Sequence, residues 1–274
     1  MDKGPHLDLA IEAVREAGEL LKRHRGSELV VNESKDHDIK LELDLQSHRL
    51  LTEKFRAATP DFAILSEEGQ DEESGSPHRW IIDPIDGTVN FFYGIPHYCI
   101  TVALQKREGD GAEAPYRTVL GVTYDPNRDE LFSAEAGAGA FLNGRPIRVS
   151  RRSKVAEAVL AIGFSKTNET ARASLGHFQH YATRAKKLRV MGAAALDLAY
   201  VAAGRLDAYF ELVRIWDYAA GLLLVQEAGG RAATQRMPKV PFLSSVLAFN
   251  GALPFELRDG DLWETPAGAK VSES

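Results

Sequence analysis

Two aspartates three residues apart, Asp83 and Asp86, end the apolar run that opens WIIDPIDGTVNF (residues 80–91). Carboxylates held this close repel unless a cation lies between them, and Mg2+, which takes oxygen ligands in octahedral geometry, meets that need. Pro84 stiffens the exit from the run, and the carbonyl of Ile85, pinned between the two acids, is a further oxygen donor. Gly87 lets the backbone approach a ligand with no Cβ in the way. A helix or turn starting at Thr88 aims free N–H groups at a phosphate, and the Thr88 hydroxyl is placed to position a water. Other acids follow apolar runs in the same manner: Glu67 and Glu68 after Phe62–Leu65, and Asp217 after Trp216. Alone, Asp217 reads as a helix N-cap and SEEG (66–69) as a solvated loop. Together, three apolar elements that each end in acid describe a metal site at one edge of a sheet.

The elements that must position these acids follow from periodicity. Leu7, Ala10, Ile11, Val14, Ala17, Leu20 and Leu21 recur at helical spacing, which predicts an amphipathic helix over 7–25. A second helix is predicted over Asp44–Ala58 with Asp44 at its N-cap, after an irregular polar stretch with a short strand at Ile39–Leu43. Short apolar runs predict strands at Phe62–Leu65, Trp80–Ile82, Tyr98–Gln105, Thr118–Tyr124 and Leu131–Glu135. GAGAFLNGRPI predicts a hairpin turning at Asn143-Gly144. Beyond about residue 150 the pattern alternates: strand Ala158–Phe164, helix Thr170–Ala185, strand Leu188–Val190, helix Ala193–Ala203, strand Leu206–Leu212, helix Tyr218–Ala228 and strand Val246–Phe249. The expected architecture is α/β: an α+β half, 1–150, carrying SEEG and DPIDGT, and an α/β half, 151–274, carrying Asp217 and the substrate pocket.

Composition narrows the function classes. At 274 residues, 44% hydrophobic and 26% charged, the chain can bury a sizeable core. Its formal net charge of -6 argues against a general nucleic-acid or anionic-membrane binder. One cysteine, Cys99, excludes an internal disulfide, and its apolar setting reads as a small buried hydrophobe. No signal peptide and no apolar run of about 18 residues are visible, so a soluble cytoplasmic protein is expected.

The separated stretches SEEG, WIIDPIDGTVNF, MGAAALDLAYVAAGRLDAYFE (191–211) and WDYAAGLLLVQEAGG (216–230) make the chain similar to the inositol monophosphatase family, the Mg2+-dependent, Li+-sensitive sugar-phosphate phosphatases. The resemblance implies a layered αβαβα sandwich, a homodimer, and two to three Mg2+ ions for which Mn2+ substitutes. It implies hydrolysis of inositol monophosphate or a related small polyol or sugar phosphate by a metal-activated water attacking phosphorus in line. Glu67, Asp83 and the carbonyl of Ile85 would hold one ion, Asp83, Asp86 and Asp217 a second, and Glu67 also a third. Thr88 and Asp44 would orient the water, the N–H groups of Gly87 and Thr88 would bind the phosphate, and Asp86, Ala194 and Glu211 would meet the substrate's hydroxyls. Phosphatases for histidinol phosphate, fructose bisphosphate or a 3′-phosphonucleotide remain open, as does a non-catalytic RNA or transcription-partner binding protein on the same fold. The chain departs from the family pattern at Ser66 (usually Gly), Leu41 and Ala193 (often Thr) and in a shorter connection from Glu211 to Asp217. Lys35 and Lys40 compete for the place of the family's lysine.

Overall fold

The computed structural model describes residues 4–26, 29–35, 38–69, 75–109, 111, 114–164, 168–237 and 240–255. Helix α1 (Pro5–His24) buries Leu7, Ala10, Val14, Ala17 and Leu21 as a single stripe, as the period predicts. The polar hairpin β1 (Val31–Lys35) and β2 (Asp38–Leu41) leads into α2 (Glu42–Ala58). That helix begins two residues before the predicted start, so Asp44 lies in its first turn rather than at the cap.

A seven-stranded sheet follows in the spatial order β3 (Ala63–Ser66), β4 (His78–Asp86), β5 (Cys99–Arg107), β6 (Tyr116–Asp125), β7 (Glu130–Glu135), β8 (Gly139–Leu142) and β9 (Arg145–Pro146). Only β3 and β4 run parallel, and the remaining neighbours are antiparallel. The short helix α3 (Thr88–Phe92) interrupts the path from β4 to β5. At the β8–β9 turn both Asn143 (φ 49°) and Gly144 (φ 75°) are left-handed, the conformation a two-residue hairpin of the I′ type requires.

The second half builds β10 (Val159–Ile162), α4 (Asn168–Ala182), β11 (Lys187–Arg189), α5 (Ala194–Ala202), β12 (Ala208–Arg214), α6 (Ile215–Glu227), β13 (Arg231–Arg236) and β14 (Leu243–Phe249). Its five strands pair in the order β11-β10-β12-β14-β13.

Alternation along the strands explains the layers, because successive residues face opposite sides of a sheet. Ile64, Trp80, Ile82, Val102 and Val122 face α1 and α2 in one core. Their neighbours Leu65, Ile81 and Ala103 meet Ala219 and Ala220 of α6 on the other side. Helices α5 and α6 form the middle layer, joined by Tyr209, Val246 and Ala248 of the second sheet. Leu160, Ala208, Phe210 and Leu247 on the far face of that sheet pack with Tyr181 of α4. The result is a five-layer αβαβα sandwich. The middle layer sits close to the first sheet: a Cβ added at Gly121 would lie 2.8 Å from the Cα of Ala220. No helix of the described residues is long and apolar enough to cross a membrane.

Candidate metal and phosphate site

Strand β4 does not stop at Ile82. It continues through Pro84 to Asp86, with a break in register against β5 between Asp83 and Asp86. The chain then turns at Gly87, whose φ of 90° is left-handed. A Cβ there would meet the Cβ of Ala193 and the carbonyl of His97 at 3.1 Å. Asp83 is buried, and one of its oxygens accepts the N–H of Ile85 at 3.0 Å. Thr88 donates its hydroxyl to the carbonyl of Ile85 at 2.9 Å, with an oxygen of Asp44 at 3.4 Å. Ser47 of α2 ties the carbonyl of Pro84 at 3.1 Å.

Asp44 and Asp217 occupy equivalent places on two different helices. Each is the third residue of its helix, and each returns one carboxylate oxygen to the backbone N–H just before the helix: Leu41 to Asp44 at 2.6 Å, Arg214 to Asp217 at 2.8 Å. This satisfies an N–H that the helix cannot, and the other oxygen of Asp44 lies 3.4 Å from the Thr88 hydroxyl. Burial raises Asp44 from 3.8 to about 7, Glu68 and Glu67 push the same way, and the Leu41 N–H and Thr88 oppose.

Ligand oxygens of Glu67, Asp83 and Asp217 all lie within 4.8 Å of one another. These three acids come from the end of β3, from β4 and from the first turn of α6. Asp86 is outside this trio. Its carboxylate is turned toward α5, where it accepts the N–H of Ala194 at 3.1 Å and of Ala195 at 2.8 Å. The thiol of buried Cys99 lies 3.5 Å away. Burial raises the Asp86 carboxyl, while the Ala195 N–H and the nearby thiol hold it down. Ala194 therefore meets Asp86 through its backbone, not its methyl group. Glu211, on β12, accepts the hydroxyl of Tyr209 at 2.6 Å. Burial lifts Glu211 from 4.5 to about 8, with Asp217, Asp197 and Asp86 adding to the rise.

The three carboxylates form an all-oxygen donor set, which suits Mg2+ or Mn2+ rather than a thiolate-seeking metal. The description of the inositol monophosphatase family matches residues 2–252. The chain belongs to that family. Among named relatives, the Nus factor SuhB of Xylella fastidiosa is 41% identical over 232 residues, covering 82% of this chain and 80% of its own. The inositol-1-monophosphatase of Rhizobium meliloti is 40% identical over 238 residues, covering 84% and 85%. In three dimensions the chain is similar to the extragenic suppressor protein suhB of Bartonella henselae, with a TM-score of 0.81 at 35% identity, over 91% of this chain and 95% of the other. The IMPase of Thermotoga maritima gives a TM-score of 0.77 at 34% identity, over 91% and 93%.

Several departures from the family's pattern have a local account, and Ala193 has none. Ser66 uses its hydroxyl, which sits 2.9 Å from the His48 ring. Leu41 is buried in the first core, and Asp44 caps the helix in its place. Lys40 pairs with Glu68 at 2.7 Å, whereas the Lys35 side chain lies outside the described residues. The shorter connection is possible because β12 runs directly into α6 at Ile215.

Two groups near the site escaped sequence reasoning. Asn90 donates to the carbonyls of His97 at 2.7 Å and Met191 at 2.8 Å, and so joins the Gly87 turn to the approach of α5. His97 and Asp197, both buried, pair at 2.9 Å beneath it. Asn90 lies inside the quoted DGTVNF run, but its partners are as much as 101 residues away.

Proposed function

We propose that the chain is a Mg2+-dependent phosphomonoester hydrolase acting on inositol monophosphate or a related small polyol or sugar phosphate. The observation that carries this reading is the convergence of Glu67, Asp83 and Asp217 beside the Gly87 turn. Glu67, Asp83, Asp217 and the Ile85 carbonyl are the residues that would hold the ions, with Asp86 at the border between metal and substrate. Bound divalent cations supply charge neutralisation at the phosphoryl group and a more acidic water. The N–H groups of Gly87 and Thr88 are the donors for the phosphate oxygens, because a helix start leaves them without an intrahelical acceptor. Thr88, held between Ile85 and Asp44, fixes the attacking water, and Asp44, raised to about 7 by burial, is suited to take up its proton near neutral pH. Asp86, Ala194 and Glu211 orient the hydroxyls of the substrate, which positions the ester rather than reacting with it.

A second reading, a non-catalytic partner in transcription on the same fold, is favoured by the 41% identity to a relative named Nus factor SuhB. Phosphate release across a panel of monoesters with Mg2+ separates the two. Release is expected on a polyol or sugar phosphate. It should fall in Asp83→Asn by more than the roughly 10- to 100-fold typical of losing an outer partner of a metal ligand. A folded protein that releases phosphate from no ester, and takes up no heat of Mg2+ binding in calorimetry, overturns the enzymatic reading in favour of the second.

A further inference from the structure

The net charge of -6 conceals a segregation of charge. Residues 145–154 carry Arg145, Arg148, Arg151, Arg152 and Lys154, and residues 184–189 carry Arg184, Lys186, Lys187 and Arg189, with no acid in either segment.

The fold brings residues 148–154 of the first segment and 184–187 of the second to one end of the second sheet, while Arg145 stays on the first sheet and Arg189 lies farther along β11. Pairing fixes that end: Lys187 faces Val159, Leu160 faces Ala208, Ala208 faces Phe249, and Phe249 faces Arg231. The connection from β9 to β10 is laid across it. The N–H of Val149 donates to the carbonyl of Ala228 at 3.2 Å on the β13 side, and Asn250 donates to the carbonyl of Arg152 at 2.8 Å in the middle. On the β11 side the N–H of Lys187 donates to the carbonyl of Ala158 at 3.3 Å. Five strands spaced about 4.8 Å apart make this a strip roughly 20 Å long.

Along the strip Arg148, Arg151, Lys186, Lys187 and Arg231 are exposed, and none pairs with a carboxylate among the described residues. The acids nearby are already engaged, including Glu227, whose carbonyl Arg148 meets at 3.4 Å and whose carboxylate accepts the N–H groups of Gly137 and Gly139. Buried Asp207 is held by Arg152 at 3.0 Å, Glu157 by Lys154 at 3.5 Å, and Glu130 by Arg205 at 2.5 Å. The strip also lies at the C-terminal end of α5, whose nine residues separate it by about 13 Å from the Asp86 end of that helix.

We propose that this strip binds the sugar-phosphate backbone of a nucleic-acid duplex, apart from the carboxylate site. Arginine predominates, and its planar fork matches a phosphate's oxygens. No exposed large apolar side chain falls within 145–154 or 184–189. The strip thus lacks the apolar anchor of a protein interface and the aromatic rings that stack on unpaired bases. Backbone binding needs neither, since it rests on counterion release. A strip of roughly 20 Å spans about six steps of a duplex at 3.4 Å per step. Overall charge argues against a nucleic-acid binder, but its distribution argues for this one edge.

The test is fluorescence anisotropy of the full chain with labelled RNA and DNA duplexes of about 20 base pairs, at roughly 50 and 200 mM salt, beside a poly-glutamate peptide. Duplex binding that weakens steeply with salt is expected. Arg148→Glu, Arg151→Glu and Lys187→Glu combined should weaken it about tenfold or more and flatten the log–log salt dependence by about three. Phosphate release should stay at the parent's rate, since none of the three touches the carboxylate site. Arg148→Gln with Arg151→Gln carries the same expectation, with about two units of slope lost, should charge reversal disturb folding. The proposal is overturned if neither duplex binds at the lower salt or if a folded variant binds as the parent does. Poly-glutamate binding as tightly as the duplexes would also overturn it, and would point to an acidic protein instead.

Discussion

Asp44 and Asp217 each give one oxygen to a helix start, while Asp44 also meets Thr88 and Asp217 joins Glu67 and Asp83. The acid types and their positions after apolar runs were legible in the sequence, because a charge at the end of a buried strand is costly without a partner. The division of labour was not, since it depends on where each helix begins, and α2 begins at Glu42 rather than Asp44. Nor was the grip of Ala194 and Ala195 on Asp86, a contact over more than a hundred residues of chain. Glu211 yields a prediction in pH. Burial raises it from 4.5 to about 8, so between those values the folded chain binds a proton that the unfolded chain releases. Stability contributed by this group is therefore complete at low pH and is lost as pH rises toward 8. Thermal unfolding of metal-free Glu211→Gln should show a higher Tm than the parent at about pH 8.5 and no gain at about pH 4.5. An equal gain at both values would mean that the carboxyl is not held protonated. Tyr209→Phe removes the hydroxyl that Glu211 accepts and is expected to cost about 1 kcal/mol in urea unfolding.

The element scale was read well where periodicity is strong and poorly where strands are polar. The helices α1, α5 and α6 and the strands β5 to β7 sit within a few residues of their predicted spans. β1 (VNESK) and β13 (RAATQR) carry almost no apolar signal, and a polar edge strand of this kind reads as a loop until its neighbour is known. The extension of β4 through a proline was also hidden, since proline normally marks a strand as ended. The Gly87 turn joining β4 to α3 gives a sharp test. Gly87→Ala meets both a left-handed φ and the neighbouring Ala193 and His97. We expect it to cost about 1–3 kcal/mol in denaturant unfolding and to reduce phosphate release by more than the fraction unfolded explains. At the contact between first sheet and middle layer, Gly121→Val forces α6 away from β6. An overpacking cost of about 1–3 kcal/mol is expected there, measured as a lower midpoint in urea.

Over the whole molecule, one sheet is built from strands between residues 63 and 146 and the other from strands between 159 and 249, yet the first sheet completes its core with residues from the later stretch. Leu65, Ile81 and Ala103 are covered by Ala219 and Ala220, and Phe132, Ala134 and Ala140 by residues of α5 and α6. A fragment of residues 1–150 should therefore bind a hydrophobic dye and unfold without a cooperative transition. A cooperative melt of that fragment would show that α1 and α2 suffice to fold it. The α/β class was legible once strands and helices were counted, and the five layers followed from the family resemblance; which helices lie between the sheets was not legible, since α5 and α6 are apolar on nearly all sides and their pattern does not choose a face. Sharing that helix pair leaves the sandwich without a seam. A clamshell opening would strip apolar cover from two sheets at once, which makes such rigid-body breathing costly. On the proposed reading, a small ester enters and leaves past the rim around the carboxylates, and turnover is expected to be paced by local motions there rather than by the swing of one half against the other.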